Sequence, residues 1–167
     1  MLYLPLALFS LLIVGLDQLT KYLVVSNLPY GGHAPGLEGL FHFTYVKNYG
    51  AAFSSFQGQR WLFILVFVAF TGLLIWFLVK KSLPFTRLEL WFLAAAFAGG
   101  LGNILDRIFR GYVVDMIVLD FIPFPVFNVA DCFITCGAIL LLIHLIFWNR
   151  AFWRGDDQGE QGHDTTV

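Results

Sequence analysis

Residues 61–79 read WLFILVFVAFTGLLIWFLV, nineteen consecutive positions without a charge. At ~1.5 Å rise per residue such a run makes a helix of ~28 Å, about the hydrocarbon thickness of a bilayer. Three more apolar runs flank it, at residues 4–25, 88–107 and 129–148. Lipid offers the backbone no water to bond, so each run must close its hydrogen bonds internally as a helix. The alternating segments of a membrane β-barrel are absent. The expected fold is an α-helical integral membrane protein with four transmembrane helices.

Composition agrees. Of the 167 residues, 59% are apolar and 13% charged, against about 25% charged in soluble domains. A soluble enzyme, a disordered chain and a collagen-like fibre are excluded. A formal net charge of -1 leaves no basic face for nucleic acid.

Four crossings bring both termini to one side. The link at residues 80–87 is short and basic, which makes that side cytoplasmic by the positive-inside rule. The tally is five against five: Lys80, Lys81, Arg87, Arg150 and Arg154 inside, Lys21, Lys47, Arg60, Arg107 and Arg110 outside. Lys21 and Arg107 fall within helices beside Asp17 and Asp106; without them the bias is five against three. Residues 4–25 lack a basic flank before the apolar run and read as a permanent first helix, not a cleaved signal peptide.

The outer links carry the unusual residues. Residues 26–59 hold a strand-like stretch at 40–46, where Phe41, Phe43 and Tyr45 alternate with His42 and Thr44. Residues 108–127 also read as partly extended. A small extracytoplasmic β-sheet at the membrane surface is expected from these loops. The four-helix membrane unit spans residues 1–154 with outer loops at 26–59 and 108–127, and the polar, acidic tail 155–167 reads as disordered and cytoplasmic.

Ionisable residues near an apolar core mark a site or a buried pair. Five acids qualify: Asp17, Asp106, Asp115, Asp120 and Asp131. Asp17 and Lys21 have the spacing of a helical ion pair. Asp106–Arg107 reads as an interfacial charge pair. Ala95, Ala98, Gly99 and Gly102 give the third helix a close-packing stripe, which Asn103 and Arg107 extend as a polar ladder. Asn128 suits a helix N-cap, with Asp131 three residues on as its box partner. Capping is thus one reading of Asp131, and a plain loop carboxylate is one reading of Asp115. The other reading pairs them. Two adjacent carboxylates share a proton, so one can take a proton from water while the other donates to a carbonyl. The positive end of a helix beside Asp131 favours its ionised form, which points to Asp131 as the base and Asp115 as the proton carrier, roles that can alternate during the cycle.

Rival chemistries find less support. The histidines form no HExxH helix, and no GxSxG elbow or GxxxxGK[ST] loop occurs. Cys132 and Cys136 lie on one helical face and read as inert buried thiols; two thiols cannot close a zinc site. No metal and no cofactor are expected. A small transporter would need polar residues across the bundle, yet residues 61–79 carry no charge. A non-enzymatic scaffold would tolerate Asp115→Asn.

Five blocks, taken together, carry a resemblance over residues 10–150. They are Asp17-Gln18-Leu19-Thr20-Lys21, Asn48-Tyr49-Gly50-Ala51-Ala52-Phe53-Ser54, the stretch from Gly99 to Arg107, Val113-Val114-Asp115, and Phe127-Asn128-Val129-Ala130-Asp131. In this order on a four-helix plan, the chain resembles bacterial lipoprotein signal peptidase, the signal peptidase II family. The resemblance implies a membrane-embedded aspartic endopeptidase of the bacterial inner membrane, with its active site near the outer face. It implies as substrate a prolipoprotein carrying diacylglycerol on its lipobox cysteine, cut just before that cysteine. Asp115 and Asp131 match the catalytic pair. Asn48, Gly50, Asn103, Arg107 and Asn128 match residues that line or support the substrate pocket, and Asp17 and Lys21 match a structural pair nearby. The family fold adds a β-cradle and a mobile flap to the four helices. Partners are then the lipidated substrate and membrane lipid, and a complete small bundle is expected to work as a monomer.

Overall fold

The computed structural model describes residues 3–50, 56–80 and 83–153. The chain runs α1 (Tyr3–Asn27), β1 (His33–Leu37), β2 (Phe41–Asn48), α2 (Arg60–Lys80), α3 (Arg87–Phe109), β3 (Val113–Leu119), α4 (Val129–Phe147) and α5 (Arg150–Trp153). The four long helices are each long and apolar enough to cross a membrane. They are the four expected ones, and the strand expected at 40–46 is β2. Residues 51–55 and the tail 155–167 lie outside the described residues.

The usual inside-out logic of a soluble protein is reversed. No residue of α2 is buried. In α1 only Ile13, Asp17 and Lys21 are buried, one stripe at four-residue spacing. The most enclosed large side chains include Lys21, Glu89, Asn128, Asp17 and Asp106. Lipid solvates the leucines and phenylalanines as well as a core does, so the bundle interior is left to polar groups that lipid will not solvate.

Helix α3 is the hub and packs against both α1 and α4. Two glycines set these distances. A Cβ at Gly99 would overlap the Ala130 carbonyl oxygen, and one at Gly102 would sit 2.5 Å from Asp17 Oδ2. Any larger residue here would push α4 or the Asp17 carboxylate away. At the far end of the bundle, Thr86 and Glu89 form the capping box of α3. The Glu89 carboxylate also takes hydrogen bonds from Asn149 Nδ2 at 2.7 Å and pairs with His144 Nδ1 at 2.8 Å. This cluster ties the start of α3 to the end of α4.

All three strands lie at the opposite end, because β1 and β2 follow α1 and β3 follows α3. They form one antiparallel sheet in the order β1-β2-β3. Its inner face packs Tyr45, Val114 and Met116 against Val24 and Leu28 at the end of α1.

The alternation expected along β2 breaks at Tyr45. Phe43 pairs with Ile117, but Val46 pairs with Asp115, so β2 uses three steps where β3 uses two. The extra residue is a β-bulge, and it exchanges the faces of everything after it. Phe41 and Phe43 share a face with Ile117 and Leu119. Beyond the bulge it is Val46 and Asn48 that stand opposite Asp115 and Val113. Tyr45 and Lys47 pass to the other face.

Candidate active site

The α4 N-terminus builds the centre of the site. Asn128 is the N-cap: its Oδ1 accepts from the Asp131 N–H at 3.0 Å, and its own N–H donates to Asp131 Oδ2 at 3.1 Å. The capping reading of Asp131 holds, and the capping carboxylate also borders the cavity. The Asn128 amide reaches further. Its Nδ2 donates to Asp115 Oδ1 at 2.8 Å and to Asn103 Oδ1 at 3.1 Å. Asn48, on the bulged strand, donates Nδ2 to Asp115 Oδ2 at 2.8 Å. Asn103, on α3, donates Nδ2 to Asp131 Oδ1 at 2.8 Å. Each carboxylate is therefore held by amide donors on both oxygens, and Asn128 binds both acids. The structure brings Asn48, Asn103, Asp115, Asn128 and Asp131 together from β2, α3, β3 and α4.

Asp115 is 3% exposed. Burial pushes its carboxyl up from 3.8 to about 6; the Asn48 amide pulls it back and the nearby Asp131 charge pushes it up again. A carboxyl with that value can hold or release a proton close to neutral pH.

Beside the two acids runs an ionic network. Lys21 Nζ lies 2.9 Å from Asp17 Oδ2, 3.1 Å from Asp106 Oδ2 and 2.9 Å from Asn103 Oδ1. Asp17 Oδ1 accepts from the Ala130 N–H at 3.0 Å, and Asp106 Oδ2 accepts from the Val114 N–H at 3.1 Å. One ammonium thus fixes both strand and helix beside the acids. Asp17 and Lys21 are more than the local pair their spacing implies.

Two sequence expectations need correction. Asp106 does not pair with Arg107. Adjacent residues on a helix point apart, and Asp106 binds Lys21 and Arg110, the latter at the four-residue spacing. Arg107 instead donates Nη2 to the Gly50 carbonyl at 2.8 Å and stacks over the Phe63 ring at 4.5 Å. It thereby ties the end of β2 to α2. Cys132 and Cys136 do share a helical face, but they are exposed, not buried. That face of α4 borders a cavity.

The cavity measures about 770 Å³ and its wall is mostly apolar. Phe63, Phe67 and Phe70 of α2 stand on one side, Ile134 and Cys136 of α4 on another, and Asp115, Asp131, Asn48 and Arg107 close one end. Such a shape suits an extended apolar ligand with a polar group at its head. Sequence reading missed the α2 aromatics because helix two is apolar on every side and shows no distinctive face. Gln18 braces the same junction of α1 and α3 as Lys21: its Nε2 donates to the Gly102 carbonyl at 3.1 Å and to Asp106 Oδ1 at 3.3 Å, both on α3. Among the described residues no three His, Cys, Asp or Glu side chains converge as a metal site.

A four-helix membrane protein with amide-held acids under a small sheet is a defined class. Two solved bacterial membrane enzymes share the architecture. One, determined by the in meso method at 2.3 Å, superposes with a TM-score of 0.78 at 26% identity, over 98% of this chain and 94% of that one. The other, at 1.9 Å, gives 0.77 at 30% identity over 86% and 93%. The family model described as Signal peptidase (SPase) II matches residues 9–147. The lipoprotein signal peptidase of Streptococcus pyogenes serotype M1 is 41% identical over 89% of this chain and 93% of its own. That of Streptococcus thermophilus strain CNRZ 1066 is 42% identical over 87% and 92%. The chain belongs to the signal peptidase II family.

Proposed function

We propose that this chain is a membrane-embedded aspartic endopeptidase. It removes the signal peptide from diacylglyceryl-modified prolipoproteins and cuts just before the lipidated cysteine. Family membership supports a signal peptidase that processes lipoproteins. The observation that carries the aspartic reading is Asn128, whose one side chain binds Asp115 at 2.8 Å and whose backbone binds Asp131 at 3.1 Å at the head of the cavity.

The chemistry follows from that arrangement. Asp131, ionised, takes a proton from a water while Asp115, protonated, donates to the scissile carbonyl oxygen. The water oxygen bonds to the carbonyl carbon and gives a neutral tetrahedral diol. Return of the proton to Asp115 and transfer of the other to the leaving nitrogen break the C–N bond. Neither carboxylate is consumed. Asn48, Asn103 and Asn128 hold the two acids in register, and Lys21 with Asp17 holds Asn103 and α4. Arg107 and Gly50 fix the edge of the pocket. The apolar cavity takes acyl chains and signal-peptide side chains. The protein acts as a monomer in the bacterial inner membrane, with both termini cytoplasmic and the acids toward the outer face.

A diacylglyceryl-modified prolipoprotein and its unlipidated form, incubated with the protein in detergent, test the substrate. Cleavage of the lipidated form, with product mass placing the cut before the cysteine, is expected to exceed that of the bare peptide at least about 100-fold, since remote binding energy lowers the barrier. Equal turnover of both would remove the lipid from the specificity.

A further inference from the structure

Beyond the bulge, the side chain next to Asn48 on the opposite face of β2 is Lys47, which pairs across the sheet with Val114. Three tyrosine rings surround its ammonium. Nζ lies 5.4 Å from the Tyr30 centroid, 5.9 Å from Tyr45 and 5.1 Å from Tyr112. Among the described residues no carboxylate lies within ion-pair distance of it. The rings brace one another. Tyr30 meets Tyr45 edge-on at 5.9 Å, and the Tyr45 and Tyr112 hydroxyls are 3.2 Å apart. Tyr45 is 6% exposed, and burial pushes its phenol up to about 12, so this ring keeps a neutral, electron-rich face through the working pH range.

Each ring face attracts a cation by about 0.5–1 kcal/mol at exposed sites and more where water is excluded. Three rings from three segments therefore hold one residue of β2 in place. Tyr30 precedes β1, Tyr45 is at the bulge, and Tyr112 precedes β3. A bulge is where a register is easiest to lose, because a slip by one residue sends every later side chain to the other face. Were β2 to slip past Tyr45, Asn48 would leave the Asp115 face.

The geometry points to Lys47 as a positioning residue for the proposed reaction: clasped by Tyr30, Tyr45 and Tyr112, it locks the bulged end of β2 so that Asn48 meets Asp115. This rests on the aspartic reading of the site. Lys47 touches neither substrate cavity nor acid and acts only through Asn48. Asp115 also faces Asp131 of α4, Lys21 of α1 and Arg107 of α3, and a change at Lys47 alters none of these.

The test uses the full chain in detergent with asparagine labelled by nitrogen-15. The Asn48 side-chain amide is assigned by its absence in Asn48→Ala. Lys47→Met keeps the stem and drops the charge; Lys47→Arg keeps both. In the wild type and Lys47→Arg one Asn48 amide proton is expected downfield, donating to a carboxylate. In Lys47→Met it moves to the free-amide position. Turnover of the lipidated substrate then falls about 10- to 100-fold with KM nearly constant, and the alkaline limb of the pH profile moves up, because Asp115 has lost a donor to its ionised form. Tyr30→Leu, which removes one exposed ring, gives a smaller displacement in the same direction and serves if Lys47→Met does not fold. An unmoved Asn48 signal in folded Lys47→Met overturns the clasp. A moved signal with an unmoved pH profile leaves the clasp standing and removes Asp115 from the proton transfer.

Discussion

Asp115→Asn is expected to lower kcat on a lipidated prolipoprotein by about 10²–10⁴-fold, the span of a lost general acid, while the protein still folds. The loss arises because an amide carries no exchangeable acid proton at working pH. The fold survives because Asn fills the same volume between Asn48 and Asn128 and its Oδ1 still accepts from one of them, at the cost of one donor facing its Nδ2. Thermal unfolding separates the two effects. The folded-state value of Asp115, about 6, lies above the ordinary 3.8. The native state therefore holds this proton where the unfolded chain has released it. Asp115's share of stability is full below pH 3.8 and is lost as pH rises toward 6. The difference in Tm between wild type and Asp115→Asn is expected to change across that window and to be flat above it. Near-normal turnover by Asp115→Asn would end the dyad reading and favour a scaffold.

Lys21→Met is expected to cost about 3–5 kcal/mol, as removal of one partner of a buried charge pair does. That is a large part of a typical total of about 5–15 kcal/mol. Lys21 is wholly enclosed, and its ammonium lies within 2.9 Å and 3.1 Å of two wholly enclosed carboxylates. Methionine leaves Asp17 with the Ala130 N–H and Asp106 with Arg110, but the cation between the acids is gone. The acids then repel across the junction of α1 and α3. Asn103 also loses one of the two donors that orient its amide toward Asp131, keeping only Asn128 Nδ2, so activity falls with stability. The double variant Asp17→Asn/Lys21→Met removes one orphaned charge and is expected to recover part of the Tm but little of the activity. A wild-type Tm in Lys21→Met, read by thermal unfolding in detergent, would contradict the network.

What could be read from the chain depended on which physical rule governed each part. The helices were legible because a bilayer demands long apolar runs and fixes their length. The α4 cap was legible because Asn128 and Asp131 stand three apart at the start of an apolar run. The bulge was not. Phe41, Phe43 and Tyr45 alternate without interruption, and the extra residue is defined only by pairing with β3. The partner of Asp106 was hidden for a similar reason. Neighbouring Arg107 drew the eye, although its side chain points elsewhere on the helix, and Lys21 arrives from 85 residues away in sequence. The thiols were misplaced because an apolar helix gives no sign of which side a cavity borders.

The most direct test of the central claim, that Asp115 and Asp131 act as one proton-sharing pair, is the pH dependence of kcat/KM on a lipidated prolipoprotein. A shared proton requires a bell. Its alkaline limb is expected near pH 6, where Asp115 gives up its proton, and its acid limb lies lower, where the pair takes a second proton. The limb near 6 is expected to vanish with the residual activity of Asp115→Asn. A rate that climbs through neutrality and stays high in alkali, as for a nucleophile freed by deprotonation, would contradict the account.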